Sequence, residues 1–173
     1  MLHTVQKLAL LLAALTALAA PAKANTPGEV EVGSALREAP LYGFAGDFRH
    51  LSELRGKPLI INVWASWCGP CRAEMASLDR LARRHGGRQF NVIGISTDDD
   101  GNAAAAFLAR AHIVFDNYLD RQLLLENMLG ANTIPLTVLV DARGRVIRKV
   151  RGTREWDSPE MLKLIGSAFD LKL

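Results

Sequence analysis

The sequence predicts an α/β fold in which a central sheet carries helices on both faces. Three observations point to it. Leu59 to Ala65 is β-branched and apolar apart from Asn62, the pattern of a strand buried on both faces. From Pro70 onward the period changes: Cys71, Met75, Leu78, Leu81 and Ala82 recur at helical spacing, with Arg72, Asp79, Arg80, Arg83 and Arg84 on the other side. Along the chain the elements then follow the order β-α-β-α-(β)-α-β-β-α.

Residues 1–24 read as a signal peptide: His3 and Lys7 give a weakly basic start, Leu8 to Ala20 is Leu and Ala apart from Thr16, and Ala22-Lys23-Ala24 offers a cleavage site. The apolar stretch is shorter than the ~20 residues of a spanning helix. A retained inner-membrane anchor is the alternative, and both place the rest of the chain in the periplasm. Residues 25–37 read as a flexible lead-in, and 38–173 as one folded domain. Leu41–Phe44 and Phe48–Leu51 flank Ala45-Gly46-Asp47 as an N-terminal β-hairpin extension.

After the central strand and its helix, Gly86-Gly87 gives a stop, and Phe90 to Ser96 is a second buried strand. Asp98-Asp99-Asp100 reads as a turn and cap for a helix over 103–111, since its spacing does not match a calcium loop. Ile113 to Phe115 is expected to be a short strand, and Leu119 to Leu129 a helix stopped by Gly130. Leu136 to Val140 is a strand, joined through Asp141-Ala142-Arg143-Gly144 to Val146 to Val150. Ser158-Pro159-Glu160 opens a final helix that runs to about Phe169.

Composition narrows the function. A chain of 173 residues with 49% hydrophobic content buries a core without staples. It has 21 Lys+Arg against 18 Asp+Glu. Without Lys7 and Lys23 the balance is 19 against 18, so charge supports no nucleic-acid partner. Cys68 and Cys71 are the only cysteines, and His50, His85 and His112 show no paired ligand spacing. No metal site is expected, because a closed zinc site takes four ligands. A structural disulfide is the bland reading of an exported cysteine pair, but so small a loop constrains the unfolded chain little.

The remaining reading is chemical. Cys68 falls at the start of the helix, where unpaired N–H groups favour a thiolate, and Cys71 lies one turn further on the same face. Thiol–disulfide exchange needs both an attacking and a resolving thiol. Cys68 is assigned the attack and Cys71 the resolution, with Gly69 and Pro70 keeping the link tight. The cysteine pair is itself the redox centre and no cofactor is expected.

Asn62-Val63-Trp64-Ala65-Ser66-Trp67-Cys68-Gly69-Pro70-Cys71 resembles the active site of the thioredoxin fold. Arg55-Gly56-Lys57-Pro58, Cys71-Arg72-Ala73-Glu74-Met75, Ile134-Pro135-Leu136-Thr137 and Glu155-Trp156 are similar to the exported TlpA/ResA/CcmG (DsbE-like) branch, with TlpA closest in pattern. The resemblance covers residue 38 to the end and implies a thioredoxin-like fold with a mixed sheet. It implies that Pro135 is a cis-proline facing the cysteines, with the backbone at Ile134 pairing with an incoming peptide. A plain strand-initiating Pro135 is the alternative. It also implies that Glu74 handles protons near the cysteines, against the alternative of a solvated helix residue. Trp67, Gly69, Pro70, Ile134 and Pro135 are the expected client-contacting residues. Asn62 stands where thioredoxin has a buried acid, and an amide does not titrate.

The expected activity is that of a periplasmic protein thiol–disulfide oxidoreductase, a dedicated reductant of client disulfides in cytochrome c maturation or copper-centre assembly. The family implies a membrane thiol electron donor of DsbD/CcdA type, and the chain is expected to be a monomer. A thioredoxin-fold copper chaperone and a membrane-anchored oxidant or isomerase are the rivals; the two-residue spacing between the cysteines counts against the chaperone.

Overall fold

The computed structural model describes residues 26–173, so the expected signal peptide lies outside the described residues. Strands β1 (Pro40–Tyr42) and β2 (Phe48–His50) come first, followed by a short 3-10 turn at Leu51–Leu54. Then come β3 (Leu59–Trp64), α1 (Gly69–His85), β4 (Asn91–Ser96) and α2 (Gly101–Arg110). The chain continues through β5 (Asp116–Leu119), α3 (Leu124–Leu129), β6 (Leu136–Val140), β7 (Val146–Arg151) and α4 (Pro159–Phe169). The main sheet has the order β5-β4-β3-β6-β7, and β1 and β2 form a separate antiparallel hairpin. β3 runs parallel to β4 and antiparallel to β6. This is the mixed sheet of a thioredoxin-like α/β fold with an N-terminal hairpin.

Every residue of β3 is buried, and its alternation sorts the core into two layers. Leu59, Ile61 and Val63 pack on one face with Leu125, Met128 and Leu129 of α3. Ile60 and Trp64 pack on the other with Met75, Leu78 and Leu81 of α1 and Met161 and Ile165 of α4. Asn62 faces this second layer, and its partner across the ladder is Thr137 of β6.

Two expected elements are placed differently. The strand foreseen at Ile113–Phe115 forms instead at Asp116–Leu119, and the helix foreseen from Leu119 begins at Leu124. Asp120 explains both. Its carboxylate accepts from the backbone N–H groups of Leu124, Leu125 and Glu126 at 2.8–3.0 Å, so the helix starts after the acid and Leu119 is left to pair with Ser96. Burial raises the Asp120 pKa, against the pull of those three N–H donors.

Where a flexible lead-in was expected, residues 26–37 lie along the body. Val30 donates to the Met128 carbonyl, and Gly33 and Leu36 donate to Val146 and Gly144, each at 2.8 Å. Glu29 pairs with Lys149 of β7. Gly130 ends α3 at φ 73°, and a Cβ there would fall 2.1 Å from the Glu29 carboxyl carbon.

Asp79, expected on the solvated side of α1, is also buried. It accepts from Arg83 Nε at 2.6 Å and from the Val114 N–H at 2.7 Å, which fixes the segment after α2. Asp79→Ala leaves that N–H without a partner and is expected to lower unfolding stability by about 1–3 kcal/mol, measured by urea denaturation.

Candidate active site

The cysteines sit where β3 runs out and α1 begins. Cys68 is the N-cap of α1, and its sulfur accepts the Cys71 N–H at 3.2 Å. A sulfur in that place meets the unsatisfied donors of a helix N-terminus. The two cysteines are joined as a disulfide with a Cα–Cα distance of 5.3 Å.

The turn that delivers Cys68 is braced from β4. Asp98 is buried and accepts from the Ser66 N–H at 2.8 Å, the Ser66 hydroxyl at 2.6 Å and the Ser96 hydroxyl at 2.7 Å. Sequence reasoning assigned all three aspartates of residues 98–100 to capping. Only Asp100 caps α2, accepting from the Asn102 N–H. A polar residue two positions before the first cysteine was the available signal for the other role. A second brace runs from Trp64 Nε1 to Asn117 Oδ1 at 2.9 Å, over Gly94, where a Cβ would lie 1.9 Å from that oxygen.

The two cysteines are unequal in access. Cys71 is fully buried and Cys68 is 6% exposed, beside a Trp67 that is 70% exposed and an open Gly69-Pro70. Cys68 Sγ lies 4.0 Å from the Ile134 carbonyl oxygen, and the Ile134–Pro135 bond is cis. The Pro135 carbonyl accepts from the Gly152 N–H at 2.9 Å, while Arg151 donates to the Gly130 carbonyl at 3.0 Å. Thr153 donates to the Pro70 carbonyl at 3.3 Å. The segment 151–153 therefore ties the proline loop to the motif. A cavity of about 470 Å³ lies elsewhere, lined by Tyr42, Phe44, Asn102, Leu119 and Arg121 among others, with no motif residue in its wall. Of the two sulfurs only that of Cys68 reaches the open surface, which suits a macromolecular disulfide.

Beneath the surface, Glu74 is not a solvated helix residue: it is 1% exposed. Oε1 accepts from Asn62 Nδ2 at 2.7 Å, and Oε2 accepts from the Arg154 N–H at 2.9 Å and Trp156 Nε1 at 3.2 Å. Ser77 locks the same region by donating to the Glu74 carbonyl and accepting from the Trp156 N–H. Burial pushes the Glu74 carboxyl above its usual range and outweighs the three hydrogen bonds and the nearby Arg154 charge, which act the other way. The group can thus hold or release a proton closer to neutrality than an exposed glutamate.

Residues 41–165 match the family model described as Redoxin. The chain belongs to the Redoxin family. This Redoxin is 29% identical over 124 residues to the thiol-disulfide oxidoreductase ResA of Geobacillus thermodenitrificans (strain NG80-2), covering 72% of this chain and 71% of that protein. It is 36% identical over 102 residues to the thiol:disulfide interchange protein DsbE of Pseudomonas fluorescens biotype C, covering 58% of this chain and 55% of the other. Among solved structures it resembles a DsbE-type thiol:disulfide interchange protein from Chlorobium tepidum, with TM-score 0.74 and 26% identity over 81% of this chain and 99% of that one. These likenesses uphold the branch read from the motif: the protein is a thiol–disulfide oxidoreductase of ResA/DsbE type.

A carboxyl that binds its proton more tightly when folded stabilises the fold fully below its ordinary value and loses that contribution as pH rises towards the folded value. For Glu74 the loss begins near the ordinary 4.5 and continues upward. Urea denaturation from about pH 4 to pH 8 is expected to show this decline, and Glu74→Gln is expected to flatten it.

Proposed function

We propose that this Redoxin is a periplasmic reductant of disulfides in client proteins, with apocytochrome c or copper-centre assembly proteins as the client class. The observation that carries this reading is the unequal access of the two sulfurs. Cys68 caps a helix at an open surface beside Trp67 and the Ile134 carbonyl, and Cys71 is sealed beneath it. In the reduced protein the Cys68 thiolate attacks a client disulfide, forming a mixed disulfide and releasing one client thiolate. Cys71 then attacks Cys68 Sγ, which forms the Cys68–Cys71 bond and releases the second client thiolate. The client gains two electrons, and a membrane thiol donor of DsbD/CcdA type returns them to the pair. The protein works as a monomer.

The client chain lies across Trp67, Gly69 and Pro70, with its backbone against Ile134 and Pro135. Glu74 takes and returns the proton of Cys71, a role supported by its burial and its raised pKa. Export is supported by the leader composition and by the likeness to proteins named ResA and DsbE.

Cys68→Ser is expected to abolish insulin reduction. Cys71→Ser, expressed in the native periplasm, is expected to accumulate mixed disulfides on Cys68. Cytochrome c or copper-centre proteins among the trapped species would name the client, and the absence of any specific adduct would overturn the dedicated-reductant reading.

A further inference from the structure

The network under the cysteines is complete except at one atom. Asn62 is fully buried and spends both amide hydrogens, on Glu74 Oε1 at 2.7 Å and on Thr137 Oγ1 at 3.0 Å. Its Oδ1 is buried with no hydrogen-bond partner. A buried acceptor left open is destabilising, so its place in an otherwise satisfied network calls for a physical reason. Asn62 shares its sheet face with Ile60 and Trp64, whose side chains pack in the same cluster as Cys71. Its partner Glu74 stands one helical turn after Cys71. The open oxygen thus belongs to the layer that holds the resolving sulfur, and in the disulfide state that sulfur has no hydrogen to offer. Reduction of the pair supplies one.

We infer that Asn62 is a positioning residue whose amide turns over as a proton passes between Cys71 and Glu74. This rests on the proton-handling role proposed above for Glu74. With Glu74 ionised, Nδ2 donates to the carboxylate, as in this structure, and Oδ1 accepts from the Cys71 thiol. When Cys71 gives up its proton to Glu74, the requirement at both ends reverses. The protonated carboxyl now donates to Oδ1, the Thr137 hydroxyl donates to the same oxygen, and Nδ2 turns to the Cys71 thiolate.

The proton balance is one for one: the S–H bond of Cys71 breaks, and an O–H bond forms on Glu74. The amide carries no proton itself. It presents an acceptor to a thiol and a donor to a thiolate, so both states of the pair are hydrogen-bonded without a second buried charge. The titratable and charged groups facing the network are Cys68, Cys71 and Glu74 from α1 and its cap, and Arg154 from the segment after β7; Thr137 of β6 is neutral.

The test uses the full chain, reduced and labelled with ¹³C at the cysteine Cβ atoms, titrated by NMR. Single-turnover reduction of a peptide disulfide and Cys68 alkylation by iodoacetamide are followed in parallel. Asn62→Leu is expected to raise the Cys71 pKa, so that its thiolate fraction near neutrality and the rate of resolution both fall about tenfold. Cys68 alkylation stays unchanged, which a merely structural lesion would not preserve. Glu74→Gln is expected to slow resolution as well. If Asn62→Leu leaves the Cys71 titration unmoved while Glu74→Gln shifts it, the turning amide is overturned and the Glu74 relay stands. If neither variant shifts it, the relay falls and the inference with it. Should Asn62→Leu fail to fold, Thr137→Val removes the hydroxyl that orients the amide without touching Glu74 or either sulfur. A smaller shift in the same direction is then expected, and no shift overturns the inference.

Discussion

A carboxylate placed inside an apolar layer must be given donors, and Glu74 collects three of them from two separate parts of the chain. Asn62 comes from the central strand, the Arg154 N–H and Trp156 Nε1 from the segment after β7, and Glu74 itself from α1. Those bonds fix how α1 lies on the sheet, and therefore where its first residue stands. Cys68 is that helix's cap, so the position of its sulfur depends on a carboxyl buried two turns away. Removing a donor here costs more than removing a surface contact, because the unpaired carboxylate stays behind.

The same arrangement makes the two cysteines chemically different although they share one helix turn. Cys68 receives the N–H of Cys71 and sits beside open surface, conditions that favour a thiolate. Cys71 is sealed in the layer of Trp64, Met75 and Leu78, where a thiolate is costly unless its proton has somewhere to go. The sealed sulfur therefore needs a proton acceptor in its own layer, and Glu74 is the buried carboxyl one turn along. In the proposed exchange a single helical turn separates attack from resolution, and burial rather than residue type sets the division.

Much of this was legible in the sequence. The apolar run of Leu59 to Ala65, the helical spacing from Cys71 to Ala82 and the turn at Asp141–Gly144 each state their own structure, because local periodicity and turn chemistry agree with the fold. The central motif, the proline loop and the place of Glu74 followed from resemblance and spacing. What was not legible was where polar side chains find partners. Asp98 and Asp79 read as capping and surface acids, and Asp120 fell unremarked inside the expected helix from Leu119 to Leu129. Each proves to be buried against backbone N–H groups, two of them far along the chain. Asp98 meets Ser66 across 32 positions and Asp79 meets Val114 across 35, and no local pattern encodes such pairings. The misplaced β5 and α3 have the same origin, since the acid that caps α3 from four residues upstream also ends the strand.

One register holds both halves of the site together. Val63 pairs with Leu136 and Asn62 with Thr137 across the antiparallel ladder of β3 and β6. The first pair brings the entrance of β6, with Ile134 and Pro135, alongside the end of β3 where the motif begins. The second puts the Thr137 hydroxyl on the same face as the Asn62 amide. A slip of one residue would turn Thr137 to the opposite face, into the layer of Ile61 and Val138. It would also carry the Ile134 carbonyl away from Cys68 Sγ. The proposed client-facing surface and the proposed proton-handling network beneath it thus share one determinant, the alternation of Leu136, Val138 and Val140 on one face with Thr137 and Leu139 on the other. Thr137 is the polar member of an otherwise apolar strand, so a slip would bury its hydroxyl away from Asn62, and the contact that completes the network also marks the register.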